Sequence, residues 1–277
     1  MNNHLNDFTN LRLAVLIDAD NAPRDCLKSV MEEIAIYGTP TVKRIYGDWT
    51  SPNIGGWKAS LLENAVTPIQ QYGYTTGKNS TDSAMIIDAM DLLYAGALDG
   101  FVLVSSDSDF TRLAIRLREA GMRVIGIGEK KTPGPFIVAC DKFIYIEVIR
   151  DRYNKQQKPA QKAEPSKTAA VKSGKKPTAK PAAEKPQKPS ARSVPEEVVE
   201  LIADSVSDIA DDDGFSDMSN LGNLIIKKQP DFDPRNFGFG KLSSMLKALP
   251  RFEVEVRPTA DPNVKPMYIR DKEAKEA

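Results

Sequence analysis

The sequence predicts an α/β protein with a parallel sheet covered on both faces, followed by a linker and a small winged helix-turn-helix domain. In the first half, short apolar strands alternate with helical stretches, which is typical of a sheet between two layers of helices. Residues 154–192 contain six prolines, many lysines and no aromatic residue. The last third contains three helical stretches and two short strands, the composition of a winged helix-turn-helix.

The elements of the first half follow from the spacing of apolar residues. Buried strands are predicted at residues 11–17, 41–46, 66–71, 101–105, 123–127 and 142–148. Helices are predicted at residues 24–37, 57–63, 81–98 and 110–120. Gly121 directly follows the last of these helices, in the position where glycine commonly ends a helix.

The C-terminal block has the opposite balance, with more helix than strand. Helices are predicted at residues 194–209, 219–228 and 233–249, although Gly238 and Gly240 interrupt the last of them. Residues 252–256 and 267–269 are predicted to pair as a hairpin, the wing.

The zero net charge of the 277 residues hides three blocks of different sign. Residues 1–149 carry 14 Lys+Arg against 18 Asp+Glu, residues 150–192 carry 13 against 3, and residues 193–277 carry 11 against 17. The predicted divisions are a flexible N-terminus 1–10, an α/β domain 11–149, a basic disordered linker 150–192 rich in Pro, Lys and Ala, a winged domain 193–271 and a tail 272–277. The linker is either a solubilising spacer or a contact for nucleic-acid phosphates.

Composition excludes several kinds of chemistry. His4 is the one histidine, and Cys26 and Cys140 are the two cysteines. A Cys/His zinc site needs about four such ligands, and a histidine-based triad would depend on a residue in the predicted N-terminal tail. Two cysteines favour a reducing compartment. Because no apolar run resembles a signal core or a membrane span, we expect a soluble, cytoplasmic protein without membrane contact.

Acidic residues follow the apolar strands at the predicted carboxyl edge of the sheet, where ligands bind in open α/β sheets. Asp18 follows the first strand, Asp107 follows the strand 101–105, and Asp82 opens the long helix. Carboxylates placed together repel one another unless a cation or a proton compensates. Mg²⁺ or Mn²⁺ held in this way can activate water for the hydrolysis of a phosphodiester. We therefore expect Asp18, Asp82 and Asp107 to bind metal.

Each of these positions also has a structural interpretation. Asp, Asn and Ser are common at strand ends and helix starts, and Asp82 complements a helix dipole. The three residues at matched ends favour metal, whereas Asp20, Asp88 and Asp91 are weaker candidates. Trp49 and Trp57 either pack or stack on a base. The two cysteines are expected to pack in the core.

The motifs of the first half, taken in order, resemble a NYN domain, a branch of the PIN-like nuclease superfamily of the limkain type. The similar stretches are residues 16–21, 81–90, 104–110, 126–133 and 139–145. The resemblance implies a PIN-like three-layer sandwich. It also implies metal-binding roles for Asp18, Asp82 and Asp107, an accessory acidic role for Asp109, and an orienting role for Asn21 toward a metal-bound water or a phosphate.

Residues 194–270 resemble an OST-type helix-turn-helix, the LOTUS domain. The similar stretches are Leu221-Gly222-Asn223-Leu224, Pro230-Asp231-Phe232, Phe237-Gly238 and Lys241-Leu242. The resemblance implies binding of RNA or of a protein partner. Because this block is net acidic, which disfavours nonspecific duplex binding, the expected partner is single-stranded or structured RNA, or a protein. Candidate RNA contacts are Lys78, Lys227, Lys228, Arg235 and Lys241; the alternative is that the last four are solvated side chains around the 230–239 turn.

These features together predict a metal-dependent ribonuclease, a hydrolase that uses Mg²⁺ or Mn²⁺ and whose RNA is recruited by the winged domain. One alternative is a non-catalytic adaptor that binds RNA or protein and retains the nuclease fold. A second is a haloacid-dehalogenase-type phosphatase with Asp18 as nucleophile. The second is disfavoured by Ala22, because such enzymes usually have Thr or Val at that position.

Overall fold

The computed structural model describes residues 11–51, 54–72, 80–157, 194–257 and 266–274. In these ranges the first half forms one parallel sheet of six strands in the order β3-β2-β1-β4-β5-β6. The strands are β1 (Arg12–Asp18), β2 (Thr39–Gly47), β3 (Thr67–Gln70), β4 (Gly100–Val104), β5 (Arg123–Gly128) and β6 (Lys142–Tyr145). The α/β class and the parallel sheet are confirmed.

Helices cover both faces of the sheet and create two separate cores. The helices are α1 (Leu27–Ile34), α2 (Lys58–Asn64), α3 (Ser80–Tyr94), α4 (Thr111–Glu119), α5 (Gly134–Ala139) and α6 (Ile146–Gln157). Leu13, Val15 and Ile17 of β1 pack toward α1, α2 and α6. Ala14 and Leu16 point the other way, toward α3, α4 and α5. This alternation along a fully buried strand is what a three-layer sandwich requires.

The strand order places the reversal of the sheet between β1 and β4. From β1 the chain proceeds outward to β2 and β3, and it then returns to β4 and proceeds the other way to β5 and β6. Such a switch point opens a crevice beyond the carboxyl ends of the two central strands. Asp18 is the last residue of β1, and Asp107 lies three residues beyond Val104, the end of β4.

Several predicted boundaries needed correction. The predicted strand 142–148 ends at Tyr145, and α6 begins at Ile146 and continues to Gln157, past the predicted start of the linker at residue 150. Sequence periodicity missed α6 because its apolar start is continuous with the strand. The short helix α5 was also missed. Most of the predicted linker and the predicted N-terminal segment lie outside the described residues.

The C-terminal domain contains α7 (Glu196–Asp208), β7 (Ser216–Asp217), α8 (Met218–Lys228), α9 (Leu242–Ala248), β8 (Phe252–Val256) and β9 (Met267–Asp271). As predicted, the segments 252–256 and 267–269 pair antiparallel as a wing, and β7 extends this sheet. The predicted helix 233–249 is divided into a 3-10 turn, Pro234–Phe237, and α9. The break falls at Gly238, whose φ of 80° lies in the left-handed region that favours glycine.

The two domains contact each other along β6, the edge strand of the large sheet. The backbone N–H of Phe143 donates to the carbonyl of Pro230 at 2.9 Å. The hydroxyl of Tyr145 donates to Asp231 Oδ2 at 2.7 Å. An exposed strand edge is a common place for another segment to dock, because its backbone groups need partners. Here the C-terminal domain supplies one.

None of the helices in the described parts of the chain has both the length and the apolar character of a membrane span.

Candidate metal centre

Three carboxylates meet at the carboxyl edge of the sheet. One oxygen from each of Asp82, Asp107 and Asp109 lies within 4.8 Å of the other two. They come from the first turn of α3 and from the loop and 3-10 turn that follow β4. The loop geometry is fixed locally, because the Asp107 side chain accepts a hydrogen bond from the backbone N–H of Asp109 at 2.9 Å. The local chain therefore brings two of the three carboxylates together, and α3 brings the third.

Asp82 is the buried member of this acidic cluster, with 9% of its surface exposed. Burial raises the pKa of its carboxyl to about 6, and the negative charges of Asp18, Asp107, Asp109 and Asp20 add to the effect. The charges that raise this pKa all come from carboxylates. An ionised group in such surroundings is stabilised by a bound cation.

Asp18 adjoins the acidic cluster but is held differently. It is 1% exposed, and its carboxylate accepts hydrogen bonds from Asn21 Nδ2 at 2.8 Å, Ser105 Oγ at 2.8 Å and the backbone N–H of Asp20 at 3.0 Å. Burial raises its pKa, and the three hydrogen bonds oppose that shift by favouring the charged form. The carboxylate of Asp18 is thus held in one orientation beside the acidic cluster, and both of its oxygens already accept hydrogen bonds from other groups of the protein.

Ser105 is a positioning residue that sequence reasoning missed. Its hydroxyl donates to Asp18 Oδ2 and accepts the backbone N–H of Asp107 at 3.0 Å. One side chain therefore connects the ends of β1 and β4. The register of the two strands explains this contact, because Ile17 lies beside Val104 and the next residues, Asp18 and Ser105, are then neighbours; the sequence alone does not specify that register.

The structure locates the remaining predicted acidic and amide residues as follows. Asn21 lies on Asp18, so its amide orients that carboxylate. Asp88 bonds with Arg44 and with the hydroxyl of Tyr46, on the part of α3 that packs on β2, and is structural. The buried carboxylate of Asp18 also leaves little access for a nucleophilic role, which weighs against the phosphatase alternative.

The tryptophans and cysteines serve packing. Trp57 is 4% exposed, and the indole N–H of Trp49 donates to the carbonyl of Ile69 at 2.9 Å. Cys26 and Cys140 are free and buried. Burial raises the pKa of the Cys140 thiol to about 12, so this thiol stays protonated at neutral pH.

The predicted RNA contacts that the structure describes all lie in the C-terminal domain. Lys78 lies outside the described residues. Lys228 pairs with Asp208 at 2.6 Å, Lys241 is exposed before α9, and Lys227 is exposed near the end of α8. Arg235 is occupied at the contact of the two domains, where it bonds Asp233 and Glu33. Of these four described residues, Lys228 and Arg235 therefore form ion pairs with carboxylates of the chain.

Comparison with known proteins agrees with this architecture. The family model of the NYN domain matches residues 12–147, and that of the OST-HTH/LOTUS domain matches residues 189–264. No curated protein matches the chain.

Several solved structures are similar to parts of the chain. A protein of unknown function from Vibrio parahaemolyticus is 18% identical, with 53% of this chain and 96% of that chain covered and a TM-score of 0.43. An uncharacterised protein from Nitrosomonas europaea is 31% identical, with 38% and 96% covered and a TM-score of 0.27. A protein from Chromobacterium violaceum is 27% identical, with 32% and 94% covered and a TM-score of 0.24.

Proposed function

The chain belongs to the NYN domain family through residues 12–147 and carries an OST-HTH/LOTUS domain at residues 189–264, and we propose that it is a metal-dependent ribonuclease. The NYN domain relates it to a nuclease superfamily, and the LOTUS domain relates it to RNA binding. The observation that carries the proposal is the acidic cluster of Asp82, Asp107 and Asp109 with the buried Asp82.

The residues present fit a divalent cation. Mg²⁺ and Mn²⁺ prefer carboxylate oxygens, and the acidic cluster offers three within 4.8 Å of one another. Asp82, Asp107 and Asp109 would hold the ion. When bound, it would supply activation of water and neutralisation of charge on the phosphate.

The remaining groups position this site. Asp18 adds negative charge behind the acidic cluster, and its own orientation is set by Asn21 and Ser105. Ser105 also holds the backbone N–H of Asp107, so displacement of one strand end would displace the other. The metal-binding set proposed here thus includes Asp109, and Asp18 supports it as a neighbour.

The test is cleavage of labelled single-stranded RNA by the full chain with Mn²⁺, with Mg²⁺ and with EDTA. We expect cleavage with metal only, and a loss of at least about 100-fold for Asp107→Asn, because a ligand is removed without a change of volume. Asp91→Asn, which changes an exposed carboxylate on α3, is the matched control and should cleave normally.

Three outcomes would contradict the proposal. Cleavage that persists in EDTA would show that the reaction does not depend on a metal. Unchanged cleavage by Asp107→Asn would show that the acidic cluster is not the catalytic site. RNA binding with no cleavage under any of these conditions would favour the non-catalytic adaptor.

A further inference from the structure

A cavity of about 510 Å³ lies between the two domains, at the amino ends of the large sheet. Arg123 and Lys142, the first residues of β5 and β6, line one side of it, and Lys227 and Pro230 of the C-terminal domain line the other. The acidic cluster lies at the carboxyl ends of the same sheet. The cavity is therefore a separate place on the molecule, which we term the junction cavity.

Lys142 is the unusual residue of the junction cavity. It is 9% exposed, and its Nζ lies 5.8 Å from the ring centroid of Tyr37. Within the described ranges, no hydrogen bond or ion pair joins this ammonium to an acceptor. A buried ammonium without an acceptor is costly. Burial accordingly lowers the pKa of Lys142.

The carboxylates that act on Lys142 from neighbouring elements are already bonded elsewhere. Asp233 and Glu33 both bond Arg235, at 2.6 and 2.7 Å. The positive charges of Arg235 and Arg123 also act on Lys142 and oppose its charged form. Lys142 therefore lines the junction cavity with an ammonium whose charge no hydrogen bond or ion pair matches within the described ranges.

The other lining groups give the junction cavity the character of an anion site. Arg118, Arg123 and Lys227 add positive charge around it, and Asp141 offsets part of this charge through a 3.0 Å ion pair with Arg118. A phosphate, with up to two negative charges, suits several cations better than a single carboxylate does. Ile36 and Val138, which are 46% and 63% exposed, provide apolar surface beside these charges.

From these observations we propose that the junction cavity binds the phosphate of a nucleotide unit, with Lys142 as its central contact. The volume falls within the range of small-molecule sites. The phosphate has two possible sources, the backbone of an RNA strand or a free nucleotide. The proposal rests on the proposed function, because a ribonuclease binds an RNA strand as its substrate and RNA cleavage can release free nucleotides.

The two sources differ in the length of ligand they require. The six residues of β5 separate the amino and carboxyl edges of the sheet by about 20 Å. An RNA that contacts both the junction cavity and the acidic cluster must span at least that distance. A free nucleotide can occupy the junction cavity alone.

The experiment measures binding and not cleavage, with the full chain carrying Asp107→Asn in EDTA. The probes are adenosine 5′-monophosphate and single-stranded RNA of 4 and 16 nucleotides, followed by calorimetry and fluorescence anisotropy. We expect Lys142→Met to weaken phosphate binding about tenfold, the usual scale for a lost charged hydrogen bond, and Lys142→Arg to retain most of it. Loss confined to the 16-nucleotide RNA indicates the RNA backbone; equal loss for the mononucleotide indicates a free nucleotide.

Lys28→Met removes one exposed charge from α1 and is the matched control. Unchanged affinity of Lys142→Met for every probe, or an equal loss for Lys28→Met, overturns the proposal. If Lys142→Met lowers the melting temperature, Lys227→Met, at an exposed position of the same cavity, is tested instead. We expect Lys227→Met to weaken phosphate binding about threefold or more. Wild-type affinity in Lys227→Met would overturn the proposal. Because no cleavage is measured, an inactive enzyme with Lys142-dependent binding would refute the proposed function alone.

Discussion

Two buried carboxylates of this protein have opposite surroundings. Asp82, which is 9% exposed, is surrounded by the charges of other carboxylates. Glu33, which is 2% exposed, accepts hydrogen bonds from Arg235 at 2.7 and 3.0 Å and from Arg152 at 2.9 Å. Burial of a carboxylate therefore has different consequences, depending on the charges that surround it. A carboxylate among carboxylates is suited to bind a cation, whereas a carboxylate among arginines holds two domains together.

The comparison extends to the elements that supply each partner. The acidic cluster is assembled from the first turn of α3 and from the loop that follows β4, both in one domain, so that domain alone determines it. Glu33 lies on α1, and Arg235 lies 202 residues further along the chain. The ion pair between Glu33 and Arg235 therefore exists only when both domains are folded and in contact.

The largest expected effect comes from breaking the paired carboxylate. Arg235→Leu should lower the free energy of unfolding by about 3 kcal/mol, because it leaves Glu33 buried with fewer donors. Differential scanning calorimetry of the full chain measures this effect. Lys241→Ala, at an exposed position of the same domain, is the control and should change little.

A double variant sharpens this result. Glu33→Leu combined with Arg235→Leu should be less destabilised than the sum of the single variants, since neither member of this pair is then left without the other. Additive effects, or a loss below about 1 kcal/mol for Arg235→Leu, would mean that the pair does not hold the domains together.

The second expected effect concerns the unpaired carboxylate in the metal-free protein. The pKa of Asp82 is raised from 3.8 to about 6. The folded state therefore binds a proton more tightly than the unfolded state does. The stability from this group is complete below about pH 4 and is lost as the pH rises through 6. Between pH 7 and pH 5, wild type should gain about 1 kcal/mol relative to Asp82→Asn.

Urea unfolding at the two pH values in EDTA measures this difference, and the comparison with Asp82→Asn cancels the other titrating groups. Asp82→Asn should also be more stable than wild type at pH 7, because it removes a repelled charge. A gain at low pH that is equal in both proteins would show that Asp82 does not titrate in this range.

The smallest expected effect comes from an exposed ion pair. Lys228 pairs with Asp208 at 2.6 Å, with their side chains 30% and 55% exposed. Lys228→Met should change the free energy of unfolding by less than about 1 kcal/mol, because solvent screens such pairs. The same unfolding experiment tests this, and a loss comparable with that of Arg235→Leu would contradict the distinction between buried and exposed pairs.

Local sequence patterns predicted most of the fold. Strands with continuous apolar runs indicated a sheet buried on both faces, and the sheet is parallel. The predicted end of β6 failed because Ile146 is equally suited to a strand and to the first turn of α6. Gly238 did break the third C-terminal helix, as its position suggested.

For the candidate site, the sequence by itself determined which residue types lie at the carboxyl edge. A buried strand excludes charge along its length, so Asp18 and Asp107 could stand only beyond the apolar runs. Tertiary structure decided how the carboxylates group. The register of β1 and β4 places Ser105 on Asp18, and α3 brings Asp82 to Asp107 and Asp109.

The contact of the two domains could not be read from local patterns at all. From its place beside a turn, Arg235 was expected either to contact RNA or to be a solvated side chain. It instead bonds Glu33, and Lys142 and Lys227 come together across the junction cavity. Sequence specifies charge and local conformation through near neighbours, whereas the partner of a buried charge depends on contacts between residues far apart in the chain. Only the folded arrangement of both domains fixes those contacts.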